Sequence, residues 1–89
     1  MYRRFWFEFQ PIGRPSPLNL GCGVTAHDHA DAVALLQACV FPNEGRLEIV
    51  RVVEDVKLDD LEKNHVLPNL GKTYVRGIWF PQGYTEIAH

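Results

Sequence analysis

The chain is short of sulfur, of net charge and of long apolar runs. Its 89 residues include only two cysteines, Cys22 and Cys39, and one methionine. Small domains stapled by disulfides are cysteine-dense, so that framework is excluded, and two free thiols in a reducing, cytoplasmic compartment are expected instead. Nine basic residues stand against eleven acidic ones, for a net charge of −2. Binding driven by a phosphate backbone needs a concentrated positive field, so nucleic acid is not an expected partner. No segment approaches the roughly 18 apolar residues of a membrane span, and no membrane association is expected. Near the start, the apolar patch Phe5-Trp6-Phe7 is cut by Glu8, short of the about 7–15 apolar residues of a signal peptide. Length points to a single domain over residues 1–89, with no room for a doubly wound nucleotide fold or a barrel of βα units.

What is present is patterned. Phe5, Phe7 and Phe9 alternate with Tyr2, Arg4, Trp6 and Glu8, the period of a strand from Tyr2 to about Phe9. Pro11, Pro15 and Pro17 then interrupt regular structure, since each lacks an N–H and fixes φ. A second short strand is expected over Leu18–Val24, weakened by Gly21 and Gly23. Thr25 is placed to cap a helix, with Asp28 at the capping-box position. That helix should run from Ala26 to Cys39 or Val40, with Ala32, Leu35, Leu36 and Cys39 as its apolar stripe. Pro42-Asn43-Glu44-Gly45 should stop it.

Arg46–Glu54 reads as a third strand, apolar on both faces, which requires either an inner strand or a bulge that shifts the register. Asp55–Gly71 is the longest irregular stretch, with one helical turn over Leu58–Glu62. Thr73–Phe80 reads as a fourth strand ended by Pro81, and residues 82–89 as a loose tail. The fold class is therefore α+β: a four-stranded, mainly antiparallel sheet with one main helix packed on one face, in the order ββαββ. The crossover is right-handed if strands two and three are parallel neighbours.

Several short motifs touch on chemistry. Leu18-Asn19-Leu20-Gly21-Cys22-Gly23 resembles the glycine-rich first motif of S-adenosylmethionine-dependent methyltransferases, but Thr25 replaces a further glycine. The domain is too short for that fold, so the glycines are read as a tight turn. His27 and Asp31 share a helix face while His29 points away, and His65 would have to complete a metal site, so no metal is expected. Cys22 near a helix N-terminus is the better nucleophile candidate, against simple packing, and Cys39 lies in the apolar stripe. Arg76-Gly77 before Ile78-Trp79-Phe80 resembles the RNA-recognition motif. Its aromatic spacing and the charge do not follow that motif. No cofactor is expected, and an enzyme is the less favoured class.

The strand faces carry the stronger inference. If Val75, Gly77 and Trp79 lie under the helix with Phe5, Phe7 and Phe9, the opposite face collects Tyr2, Arg4, Trp6, Tyr74, Arg76, Ile78 and Phe80. That face is too apolar for free solvent. Either residues 55–71 fold over it through Leu58, Leu61, Val66, Leu67 and Leu70, or a partner covers it. The favoured function is a non-catalytic interaction module, a homodimer or one docking a protein partner, with Trp6, Arg4, Tyr74, Arg76, Phe80 and His65 as binding residues. The alternative is a ligand binder or small enzyme with a pocket between the 55–71 loop and the sheet. There His65, Arg76 and Trp6 would meet a small anionic ligand.

The aromatic first strand, Gly23-Val24-Thr25-Ala26 before the helix, and His65-Val66-Leu67-Pro68-Asn69-Leu70-Gly71 before Gly77-Ile78-Trp79-Phe80-Pro81 resemble a group of small, uncharacterised bacterial proteins. The likeness spans most of the chain and implies a bacterial cytosolic origin. It supplies neither catalytic residues nor a cofactor.

Overall fold

Alternation in the first segment produces β1 (Arg3–Phe9), the strand on which the sheet is built. The structure, a computed structural model, describes residues 1–45 and 47–84. β1 pairs antiparallel with β2 (Cys22–Ala26) on one side and β3 (Ile49–Glu54) on the other. β4 (Gly77–Phe80) pairs antiparallel with β2, giving the order β3-β1-β2-β4. β2 and β3 are not neighbours, because β1 lies between them, and the helical connection crosses over it.

The helix begins later than capping by Thr25 predicts. Thr25 is buried within β2, and its hydroxyl donates to the Thr73 carbonyl at 2.5 Å. Asp28 is the N-cap of α1 (His29–Leu35), accepting from the Asp31 N–H at 2.8 Å, while Asp31 accepts from the His27 N–H at 2.9 Å. One amide left open by the helix start, that of Asp31, and the His27 N–H just before the cap are thereby satisfied by carboxylates that the helix dipole also favours. α1 continues through a π turn (Leu36–Val40) into α2 (Phe41–Glu44), so Pro42 does not stop the helix. The π turn precedes Pro42, whose missing N–H and ring crowd the regular α pattern. Gly45, at φ 75°, ends it.

The face under the helix holds Phe5, Phe7, Phe9, Val24, Leu35, Leu36 and Cys39, with Ile78 among them. Ile78 was expected on the opposite face. β4 carries a bulge: Gly23 faces Phe80 and Val24 faces Ile78, leaving Trp79 as the extra residue. A bulge resets the alternation, so Trp79 and Phe80 both turn to the outer side and Ile78 to the helix side. β4 itself is shorter than expected, since residues 73–76 form turns. A second bulge explains the two-faced apolar pattern of β3, which is an edge strand. Glu8 faces Arg51 and Phe9 faces Ile49, so Val50 is extra and stands 53% exposed.

The outer face is covered from within the chain. Trp6, Trp79 and Phe80 are packed with Val56, Leu61 and Val66, with Leu58, Leu67 and Leu70 at the margin. Burying each such side chain stabilises by about 1.5–3 kcal/mol, enough to order a segment with little regular hydrogen bonding. That segment contains two 3-10 turns (Leu58–Asp60 and Leu67–Asn69), and Glu62 between them accepts backbone hydrogen bonds from Asn64, His65 and Val66.

β2 also starts later than expected. Pro17–Asn19 forms a 3-10 turn, and Gly23 is a strand residue rather than part of a tight turn. The start of the tail is also not loose: Gln82 donates to the Asn69 carbonyl at 2.9 Å and the Tyr84 hydroxyl to Glu44 at 2.5 Å. Arg46 and the tail beyond Tyr84 lie outside the described residues. No helix among the described residues is long and apolar enough to cross a membrane.

Candidate functional site

The six binding residues expected from the sequence do not converge. Trp6 is 6% exposed beneath the 55–71 segment, its indole N–H donating to Glu8 at 3.2 Å and its ring 5.7 Å from that of Phe80. Phe80 is buried in the same cluster. Its margin, with His65, Leu20 and Asn69, lines a cleft of about 440 Å³. His65 is tied to Glu62 through its backbone N–H, with its ring Nδ1 3.4 Å from the carboxylate. Arg76 sits at the start of the helix, its Nε and Nη2 donating to Asp31 at 3.0 and 2.6 Å.

Arg4 and Tyr74 do come together, in a cleft of about 380 Å³ at one end of the sheet. β1 supplies Arg3 and Arg4, with Tyr2 just before it, β2 supplies Thr25, and the chain after β3 supplies Asp55 and Val56. Arg4 is anchored at both ends of its peptide neighbourhood: its Nε donates to the Val56 carbonyl at 3.3 Å, and its own carbonyl accepts from Val56 at 3.2 Å. Arg3 grips Asp55 through Nε and Nη2 at 2.9 and 2.7 Å and reaches Glu54 at 2.9 Å. The guanidinium beside it holds the Asp55 carboxyl below its ordinary value. Asp55 occupies the left-handed region at φ 55°, where a short polar side chain is better tolerated than most.

Two tyrosines flank this cleft in water. Tyr2 is 48% exposed and Tyr74 75% exposed, and Val75 beside Tyr74 is 48% exposed. Tyr2 packs on His27 with ring centroids 4.8 Å apart. Tyr2, His27 and Val75 were not among the expected binding residues. The alternation in β1 had placed Tyr2 on the outer face. What it could not reveal is that the 55–71 segment covers Trp6 and stops short of Tyr2.

Three of the groups that could serve catalysis, Cys22, Asp31 and Glu62, are otherwise engaged. Cys22 is fully buried, and burial followed by the nearby Cys39 pushes its thiol well up, opposite to the activated state a nucleophile requires. Both cysteines are free. The Asp31 carboxyl is held far below its usual range, first by the Arg76 hydrogen bond and then by the His27 N–H. Glu62 is lowered, chiefly by the His65 N–H. These carboxylates are fixed in the ionised form by structural partners, whereas a general acid needs a raised pKa. No group of three or more His, Cys, Asp or Glu side chains among the described residues is placed to hold a metal ion. Comparison with protein-family models, curated proteins and solved structures finds no match to this chain.

Proposed function

We propose that the chain is a non-catalytic interaction module that self-associates through the sheet end bearing Tyr2, Arg4, Tyr74 and Val75. The observation that carries this reading is the exposure of two tyrosines that line one cleft together with Arg4. Tyrosine and arginine are enriched where interfaces are won energetically, because each combines large contact area with a directed polar group. The closed aromatic face favours this location over the one the strand pattern suggested. Trp6 and Phe80 already have partners within the chain.

A second copy is the favoured occupant on grounds of charge. Arg3 is matched locally by Glu54 and Asp55 and Arg76 by Asp31, while Arg4 donates to the Val56 carbonyl. Two such surfaces can therefore face one another, as a twofold interface requires, without strong like-charge repulsion. A cytoplasmic setting goes with this reading and accords with the two free thiols.

Sedimentation equilibrium from low to high micromolar concentration tests the proposal. The parent chain should dimerise, and Tyr74→Ala should weaken the dimer about tenfold or more, as expected for an aromatic anchor. A monomer throughout, or a dimer indifferent to both Tyr2→Ala and Tyr74→Ala, contradicts it.

A further inference from the structure

We infer a separate small-molecule site, for an amphipathic carboxylate, in the cleft between the helix and the chain leading into and out of β4. This cleft encloses about 480 Å³, within the range of about 300–1,000 Å³ usual for ligand pockets. Its floor is apolar: Leu35 and Cys39 from the helix and Ile78 from β4, all buried in the main core. Its rim is cationic and polar, with Lys72, Arg76 and Gln82, and among the described residues no Asp or Glu side chain lines it. Gly77 and Gly83 form part of the wall, and a Cβ on either would meet no atom within 4 Å, so the backbone there is open to a ligand.

These features select one chemistry. An apolar body gains free energy on the Leu35–Ile78 floor by leaving water. A carboxylate at its end reaches the rim, where a charge-assisted hydrogen bond to an ammonium is stronger than a neutral one. Arg76 is oriented by Asp31, which leaves Lys72, an exposed and flexible donor, as the group that meets the anion. An ammonium-bearing amphiphile of the same length gains the floor but is repelled at the rim.

The test is a two-dimensional amide NMR titration of the intact chain with octanoate, 1-octanol and octylamine. N-acetyl-leucine is added to separate a free acid from a peptide C-terminus. Octanoate or N-acetyl-leucine should shift the Gly71, Gly77 and Gly83 amides saturably, and whichever binds more tightly identifies the source. Octanol should bind more weakly and octylamine weakest. Lys72→Glu should weaken carboxylate binding about fivefold, the scale of an exposed charge pair, and Lys72→Gln should weaken it by less, both leaving the fold intact. The proposal is overturned if neither carboxylate shifts these glycines at millimolar concentration, if octylamine matches octanoate, or if both variants bind as the parent does.

Discussion

Gly21 and Gly23 each leave a space that an indole fills. A Cβ on Gly23 would lie 2.3 Å from Trp79 Cζ3, and one on Gly21 would lie 2.4 Å from Trp6 Cζ2. The strand therefore passes beneath both tryptophans at a distance that only hydrogen at Cα permits. Gly23 lies outside the left-handed region, so Gly23→Ala isolates the steric effect. It should cost about 1–3 kcal/mol, the usual scale of overpacking, read as a lower urea midpoint with unchanged m-value. Trp79 carries a cost of its own: its indole N–H is a buried side-chain donor with no hydrogen-bond partner among the described residues, worth about 1–3 kcal/mol against the fold. The apolar contacts of the ring with the outer cluster offset that loss. Cys22 gives a second prediction at this scale. Its raised, buried thiol should react with iodoacetamide far more slowly in the native chain than in urea, and rapid native labelling would contradict the packing role.

Among the elements, the 55–71 segment does most to define the molecule. Val56, Leu61 and Val66 are its buried side chains in the cluster with Trp6. Leu61→Ala should destabilise by about 2–5 kcal/mol and shift tryptophan emission to the red as water reaches the indole. Unchanged emission and stability would mean that the segment does not seal this face. The helix start and the chain after β3 provide the pH response. Asp31, lowered first by Arg76, and Asp55, lowered by Arg3, both have folded-state values below their unfolded ones. Such carboxylates bind fewer protons in the native state, so their contribution is present above the unfolded value of about 4 and is lost on acidification through the folded value. Stability should fall below about pH 4, and Asp31→Asn should flatten that fall. Denaturation midpoints across the acid range check it.

Much of this architecture is legible in the sequence. The alternation of Phe5, Phe7 and Phe9 fixes β1 and its buried side, and the stripe Ala32–Leu35–Leu36–Cys39 fixes the helix face. The leucines and valines of the 55–71 segment mark it as one of two possible covers, the other being a partner, and the structure shows the segment in that place. The bulges were harder to place. For β3 the pattern allowed one without locating it at Val50. In β4 nothing local announced the extra residue at Trp79, which moved Ile78 across the sheet. A single added residue inverts every assignment on one side of it. Thr25 misled for a related reason: a β-branched hydroxyl residue suits either a cap or a strand, and pairing with Arg4 decided for the strand. The site was less legible than the fold. Arg4 and Tyr74 meet across a cleft, yet His65, Trp6 and Phe80 were separated from them by the way the segment closes.

At the scale of the whole molecule, the described residues have a radius of gyration of 11.9 Å, matching the roughly 12 Å expected for a single domain of this length. The irregular segment thus lies against the sheet and does not project as an arm. With both large aromatic surfaces enclosed, the exposed Tyr2 and Tyr74 line one cleft and the exposed Val75 follows Tyr74 in the chain, while Met1, Leu20 and Val50 are exposed besides. The most direct measurement of this arrangement is a dilution series followed by amide and indole NMR. The account predicts concentration-dependent shifts confined to Tyr2, His27 and residues 73–76, with the Trp6 and Trp79 indole signals constant. Shifts centred on the two indoles, with the Tyr2 and Tyr74 amides unmoved, would contradict it.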